Sequence, residues 1–319
     1  MTRSRLAALA LGLALALPGC GKNEPAKGEP DKAKDKGKPD SGGPAPSPSA
    51  VTTNPGATPA AGGPAEVRPT DPAQTAAEKF VKEFRDGAVK PDELSPTFLK
   101  VVGKPIGPFD ADKARGYSTD EAARWLRAVR GGLGADAPNL GLPTGHAQAG
   151  VAVFTGTLQP KERGRYRLRL AQDGGAWKLD WFQVANLPAD EPRKPQTADE
   201  PFQDFAARAF LDAVTDKGVM TPDARVRLVG ALLSPRYRTA LGADPGNQDK
   251  GQGYDYNPGW LKPKLAEVGG GADSYTCAPA GPDVFRVEFT KGGAKTAHTL
   301  RLVRGPVAGT WLVDEFAPQ

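Results

Sequence analysis

The feature that most constrains the fold of this 319-residue chain is an internal repeat in its carboxy-terminal part. Four motifs occur twice in the same order, namely Leu94-Ser95-Pro96 and Leu233-Ser234-Pro235, Gly116-Tyr117 and Gly253-Tyr254, Trp125-Leu126 and Trp260-Leu261, and the segments 177–182 and 311–316. From the repeated serine to the first residue of the last motif, the spacing is 82 residues in one copy and 77 in the other. The repeat predicts two domains, 73–196 and 197–319, joined at a Pro- and Lys-rich stretch.

Each copy begins with helix signals and continues with strand signals. Thr75-x-x-Glu78 and Thr197-x-x-Glu200 match the capping box, in which a hydroxyl and a carboxylate satisfy free backbone amides at a helix start, and Ser118-x-x-Glu121 is a third match. The later part of each copy has strand-like patterns, at about 149–158, 164–172 and 176–184, and at about 283–290, 296–304 and 310–316. Helices followed by an antiparallel meander predict an α+β layer fold.

Two arginines, an apolar run and Leu17-Pro18-Gly19-Cys20 make up much of the first twenty residues, and this pattern resembles the signal of a bacterial lipoprotein. An apolar run from Leu6 to Leu17 follows two arginines and leads into Pro18-Gly19-Cys20. The run has 12 residues, which suits a signal-peptide core and is shorter than the ~20 residues of a membrane-spanning helix. The resemblance implies that 1–19 is a signal peptide and that Cys20 is acylated. The protein would then be anchored in the cell envelope, facing the periplasm or the exterior. An ordinary secretory signal is the alternative.

Residues 20–72 have the composition of a tether. Proline, glycine, alanine, lysine and aspartate dominate there, and Val51 and Val67 are the only large apolar residues. Such a segment cannot bury enough apolar surface to offset the entropy lost on ordering. We therefore expect a disordered linker with a root-mean-square reach of roughly 40 Å.

Composition argues against several functions. The formal charge of +5 includes two signal-peptide arginines, and a surface this balanced does not favour nucleic-acid binding. Apart from Cys20 the only cysteine is Cys277, so the mature chain has no internal disulfide, and we interpret Cys277 as a small buried residue. With only His146 and His298 as histidines, we expect no metal site and no cofactor. Phosphate-loop and serine-nucleophile motifs are absent from the sequence.

The end of each copy carries a family resemblance. Its last predicted strand contains Trp177, Leu179, Asp180 and Phe182 in the first copy, and Trp311, Val313, Asp314 and Phe316 in the second, where Gly309 precedes it. With helices before a curved antiparallel sheet, this pattern resembles the NTF2-like (cystatin-like) superfamily. The resemblance implies two tandem cone-shaped domains after the linker. That superfamily includes isomerases, cyclases and exported binding modules, so the fold alone does not determine the function.

Two aspartates at equivalent positions, Asp180 and Asp314, are the candidate catalytic residues. A carboxylate inside a cone could act as a base if burial raised its pKa. The competing interpretation is that each aspartate fixes a turn, a cap or an ion pair, or faces solvent.

Two further residue sets are binding candidates. Arg165, Arg167 and Arg169 alternate with apolar residues and predict a half-buried strand, whose arginines face solvent or bind an anionic envelope partner. Four aromatic residues either line a cavity mouth or belong to the core, namely Tyr117, Trp125, Tyr254 and Trp260.

The sequence therefore favours a lipid-anchored envelope protein that binds a ligand or acts as a scaffold without catalysis. Its candidate partners are the membrane, through Cys20, and an envelope protein or polymer. One alternative is an isomerase or hydrolase that uses an aspartate base in a cone-shaped pocket. The other is a binder of an anionic envelope polymer that uses the arginine-rich strand.

Overall fold

The computed structural model describes residues 65–68, 71–103, 105–106, 116–159, 164–187, 194–215, 222–242 and 271–319. The predicted α+β class is confirmed, because these residues form helices and two main antiparallel sheets. The signal peptide, Cys20, most of the predicted linker, Tyr254 and Trp260 lie outside the described residues.

The first half of the described chain begins with short strands and three helices. These are β1 (Ala65–Glu66), α1 (Pro72–Asp86), α2 (Pro96–Val102), β2 (Pro105–Ile106), β3 (Gly116–Tyr117) and α3 (Thr119–Leu133). The capping box at Thr75 is wrong, because α1 starts earlier, with Asp71 at the cap position and Pro72 preset for the first turn. The box at Ser118 does cap α3, where the Ser118 hydroxyl accepts from the Glu121 amide at 3.2 Å.

The first main sheet combines β1 with four strands that follow these helices. It has the order β1-β4-β5-β6-β7, with β4 (Thr144–Gln148), β5 (Val151–Thr157), β6 (Arg165–Asp173) and β7 (Ala176–Ala185). The three strands predicted in this half correspond to β5, β6 and β7. One face of the sheet is apolar and includes Phe154, Tyr166, Leu168 and Phe182. It packs against α1, whose Phe80 and Phe84 rings contact Phe182.

The second half contains three helices and the second main sheet. The helices are α4 (Glu200–Thr215), α5 (Pro222–Leu232) and α6 (Pro235–Ala240). The sheet has the order β11-β10-β9-β8, with β8 (Ser274–Gly281), β9 (Val284–Lys291), β10 (Ala294–Arg304) and β11 (Trp311–Pro318). The three strands predicted in this half correspond to β9, β10 and β11. Thr197 does not cap α4, which begins at Glu200.

Helix α4 packs against strands of both main sheets. The sequence predicts one apolar face with Phe202, Phe205, Ala209 and Ala213, but Phe210, Leu211 and Val214 are also buried. A helix that is buried on most of its circumference needs neighbours on several sides. The buried apolar residues of both halves consequently form one core cluster.

The repeated Leu-Ser-Pro motif has the same local structure in both halves. Leu94 forms a parallel bridge to Leu179, and Leu233 forms one to Val313. The amide of the following serine donates to the bridged strand at 2.8 Å in each case. Each serine then caps a short helix, α2 or α6, by accepting from the amide three residues later at 3.0 Å.

Candidate functional site

Asp180 and Asp314 each occupy a β-bulge in the last strand of their sheet. The pairing of β6 with β7 skips Asp180 between Arg169 and Leu170, and the pairing of β10 with β11 skips Asp314. A bulge re-aims the side chain of its extra residue. Here it brings a carboxylate oxygen to 2.6 Å from the hydroxyl of the helix-capping serine, Ser95 in the first half and Ser234 in the second. We call each pair a Ser-Asp clamp.

An arginine completes each clamp. Arg169 donates through Nε to Asp180 at 2.6 Å, and Arg236 donates through Nε to the two carboxylate oxygens of Asp314 at 3.0 and 3.1 Å. Hydrogen bonding from Arg236, helped by Ser234, lowers the pKa of Asp314 below its ordinary value against the effect of burial. A general base that works near neutral pH needs a raised carboxyl pKa. The clamp at Asp314 therefore fits a structural role better than a catalytic one.

The arginines of β6 are buried rather than exposed to solvent. Arg165 is 2% exposed and Arg167 is 3% exposed. Both contact Asp212, which α4 carries and which is 1% exposed. Arg165 donates to Asp212 from Nη2 at 2.7 Å and from Nε at 3.1 Å, and Arg167 donates from Nε at 2.7 Å. The expectation of a solvated arginine face is wrong for this strand.

Tyr275 on β8 is the fourth member of this group. Its hydroxyl donates to Asp212 at 2.6 Å, and the guanidinium of Arg165 lies 5.1 Å from the centre of its ring. We call Arg165, Arg167, Asp212 and Tyr275 the arginine cluster. The cluster connects the first sheet, α4 and the second sheet, and it therefore holds the two halves of the described chain together.

The electrostatics of the arginine cluster favour an ionised Asp212. Burial raises the pKa of a carboxyl group, but the charges of Arg165 and Arg167 outweigh it and lower the pKa of Asp212 to about 2. Burial alone would lower the pKa of Arg167, and the charge of Asp212 raises it instead. The cluster thus holds an ionised carboxylate between two guanidinium groups.

A cleft of about 800 Å³ opens beside the arginine cluster, between strands β4 to β6 and the first three turns of α4. Arg165, Arg167 and Thr155 belong to its wall, and Arg167 donates from Nη1 to the Thr155 hydroxyl at 3.3 Å. The other charged and histidine side chains along it are Glu66, His146, Lys194, Glu200, Asp204 and Arg208. Its apolar lining includes Leu142, Val153 and Phe205, and Leu142 is 72% exposed at the rim.

Of the remaining candidates, Tyr117, Trp125 and Arg169 lie in the described part of the chain and do not line this cleft. Trp125 packs edge-on against Phe98 with ring centres 5.5 Å apart, and Tyr117 lies half-buried in β3. Cys277 is buried in β8 as predicted, and its carbonyl accepts from Arg208 at 3.0 Å.

His298 stacks on Phe316 in the second sheet with ring centres 4.9 Å apart, and burial lowers its pKa.

The described ranges of the chain contain neither a cluster of metal-ligating side chains nor a helix suited to spanning a membrane. Among these residues, no group of three or more histidine, cysteine, aspartate or glutamate side chains is placed to hold a metal ion. Likewise, none of the helices in this part is long and apolar enough to cross a membrane.

Sequence reasoning missed Asp212, the residue that organises the site. The sequence did contain a local indication that Asp212 is unusual, because this residue interrupts the apolar run from Ala209 to Val214. A carboxylate at such a position is rarely buried without a partner. The partners, however, lie 45 and 47 residues earlier in the sequence, and no spacing rule connects them.

Comparison of the chain with protein-family models, with curated proteins and with solved structures found no match. The functional assignment therefore depends on the geometry of the cleft and on the sequence.

Proposed function

We propose that this protein is a lipid-anchored component of the cell envelope that binds a small ligand in the cleft without transforming it. The observation that carries this proposal is the cleft itself, because a concave site of this size, in which apolar side chains lie beside fixed polar groups, is the usual form of a ligand pocket. Two of its charged side chains, Arg165 and Arg167, are buried and are held in position by Asp212 before any ligand arrives. Such preorganisation reduces the cost of binding.

Two features support a non-catalytic role over the isomerase or hydrolase alternative. The two candidate bases, Asp180 and Asp314, each form a hydrogen bond within a Ser-Asp clamp. Neither aspartate lines the cleft. The most buried carboxylate beside the cleft, Asp212, has a lowered pKa and accepts from three side chains, so it is a poor proton acceptor.

The arginine-rich strand also bears on the type of ligand. Arg165 and Arg167 are almost completely buried and are reached through the cleft. A long envelope polymer that lies across an open strand would not reach them, whereas a small molecule or a chain end would. This geometry favours a small ligand over the polymer alternative.

We also infer that the two halves are tandem copies of an NTF2-like unit. The support is the repeated sequence pattern together with the equivalent clamps, in which a bulge aspartate meets a helix-capping serine at 2.6 Å in both halves. Anchoring through Cys20 is supported by the lipoprotein-like signal.

Native mass spectrometry of the protein extracted from its own membrane tests this proposal. We expect a polypeptide that begins at Cys20, carries acyl mass and retains a small molecule. The variant Leu142→Asp should lose that molecule, while Val307→Asp, which changes another exposed apolar residue outside the cleft, should retain it. An amino terminus without acyl mass would refute the anchoring, and a ligand retained equally by both variants would refute the cleft. Turnover of an envelope substrate that depended on Asp180 or Asp314 would refute the non-catalytic role.

A further inference from the structure

We propose that the cleft binds an uncharged saccharide, whose hydroxyl groups lie between acidic and basic side chains of the wall and whose C–H face lies against Leu142 and Val153. This inference rests on the proposed function, because it names the ligand class of the same cleft. Three properties of the cleft carry it, namely the balance of its charges, the threonine hydroxyls of β4 and β5, and its aliphatic side chains.

The charges along the cleft balance within the described part of the chain. Counted with Asp212 and without His146, they comprise four acidic and four basic side chains, namely Glu66, Glu200, Asp204 and Asp212, and Arg165, Arg167, Lys194 and Arg208. A ligand with a net charge would lose its hydration there without meeting a surplus of the opposite sign. The lining therefore favours a ligand that is polar and carries no net charge.

Opposite charges lie next to each other on α4. Asp204 pairs with Arg208 at 2.7 Å, and the Asp204 side chain is 37% exposed. A carboxylate accepts hydrogen bonds and a guanidinium group donates them, whereas a hydroxyl group does both. A ligand hydroxyl can therefore contact both members of such a pair without bringing a charge that would upset the balance. A saccharide carries several hydroxyl groups at fixed positions on one ring, so it suits a wall in which both signs alternate.

Threonine hydroxyls continue this polar surface on the sheet side of the cleft. Thr144 on β4 is the cross-strand partner of Thr155 on β5, and Thr157 lies two residues further along β5. All three line the cleft, and the Thr155 oxygen accepts from Arg167 at 3.3 Å. A hydroxyl that accepts in this way can still donate its own hydrogen. The Cβ atoms of a cross-strand pair lie about 4.5–5.5 Å apart, a distance that the hydroxyls of one sugar ring span.

Aliphatic side chains provide the remaining contact. Leu142 exposes 72% of its surface at the cleft rim, and Val153 belongs to the same lining. A sugar ring presents C–H groups on one face, and packing them on these side chains removes apolar surface from water. The cleft, with a volume of about 800 Å³, has room for a ligand of this kind.

Titration calorimetry against a saccharide panel tests the proposal. The protein is the full chain with Cys20→Ser, which removes the predicted acylation site. The panel contains disaccharides and trisaccharides of glucose, galactose, mannose, rhamnose and N-acetylglucosamine, each beside one analogue with a carboxylate and one with an ammonium group. We expect at least one uncharged member to bind, about tenfold or more tightly than both of its charged analogues. Failure of every uncharged member to bind would overturn the inference.

Two pairs of variants locate the hydroxyl contacts of the saccharide that binds. Asp204→Ala should weaken its binding about fivefold or more, whereas Asp173→Ala, which breaks another partly exposed ion pair outside the cleft, should leave it unchanged. Thr144→Val should weaken it about threefold or more, whereas Thr276→Val, on a threonine of the second sheet that is also exposed, should leave it unchanged. All four side chains are at least partly exposed, so we expect these variants to fold.

The outcomes separate this inference from the proposed function, and Leu142→Asp with its control Val307→Asp serves both. Saccharide binding that neither Asp204→Ala nor Leu142→Asp weakened would overturn the inference, as would a charged analogue that bound more tightly than its uncharged parent. If no saccharide bound but native mass spectrometry still found a different ligand lost in Leu142→Asp, the proposed function would stand and the saccharide inference would fall. If both experiments gave no ligand, both would fall.

Discussion

Arg165 on β6 and Asp212 on α4 form a buried ion pair, with 2.7 Å between Nη2 and Oδ1. The pair holds α4 against the first sheet. The hydrogen bond from the Tyr275 hydroxyl to Asp212 adds a contact with the second sheet. The cleft borders this connection. Asp212 holds two arginines of the cleft wall in position, which makes it the residue whose replacement is most informative.

Asp212→Asn should destabilise the protein strongly. The substitution removes the charge of the buried carboxylate that Arg165 and Arg167 both contact, and breaking such a buried pair costs about 3–5 kcal/mol. Urea unfolding followed by circular dichroism measures the loss. Asp173→Asn is the matched control, because Asp173 pairs with Lys178 on an exposed hairpin and should cost no more than about 1 kcal/mol. Similar effects of the two variants would contradict the assigned role of Asp212.

The protein should lose stability in acid, between the pKa of an ordinary aspartate and the lower pKa of Asp212. The pKa of Asp212 is about 2 in the folded chain and about 3.9 in an unfolded one. A lowered folded pKa gives stability that is complete above the unfolded value and is lost as pH falls towards the folded value. The free energy of unfolding, measured between pH 6 and pH 2, should therefore fall most steeply below about pH 4. In Asp212→Asn this slope should be reduced; an unchanged slope would argue against the lowered pKa.

The Ser-Asp clamps should make their serines more important than an ordinary helix cap. Ser95→Ala and Ser234→Ala each remove a cap and a hydrogen bond to a buried carboxylate, so each should cost about 2–4 kcal/mol. Ser118→Ala removes a cap in α3 and should cost about 1 kcal/mol. Chemical denaturation of the three variants gives the comparison. Equal losses would show that the contact with aspartate adds nothing.

Gly156 should not tolerate a side chain. A Cβ atom at Gly156 would lie 2.2 Å from the ring of Tyr166, whose hydroxyl donates to the carbonyl of Gly141 at 2.6 Å. Gly156→Ala should therefore destabilise the first sheet by about 1–3 kcal/mol or more. Gly281→Ala is the control, because no heavy atom lies within 4 Å of a Cβ at that position. Thermal unfolding of both variants measures the difference, and a neutral Gly156→Ala would contradict the packing of Tyr166.

Much of the sheet structure follows from sequence patterns. Strands β5 to β7 and β9 to β11 were predictable because alternation and glycine-containing turns are local signals. Helix α1 buries one apolar face, which includes Phe80 and Phe84 at helical spacing. Its start depends on Pro72 and not on Thr75. Cap motifs are short, so a second acceptable start can override the first.

The site was less predictable, because tertiary contacts decide it. Alternation along β6 correctly separates the arginines from Leu168 and Leu170, but it cannot show that α4 covers the arginine face. The bulges at Asp180 and Asp314 are likewise invisible in the pattern, since a single extra residue changes the direction of a side chain without changing the composition. The cleft depends on the packing of α4 beside β6, which no local pattern predicts.

The most direct test is a crystal structure of the protein purified from its own membrane. Our account predicts a bound molecule in the cleft between β5, β6 and α4, in contact with Leu142 at its rim. A cleft filled by residues of the chain itself, or a ligand bound elsewhere with the cleft occupied by solvent, would contradict it.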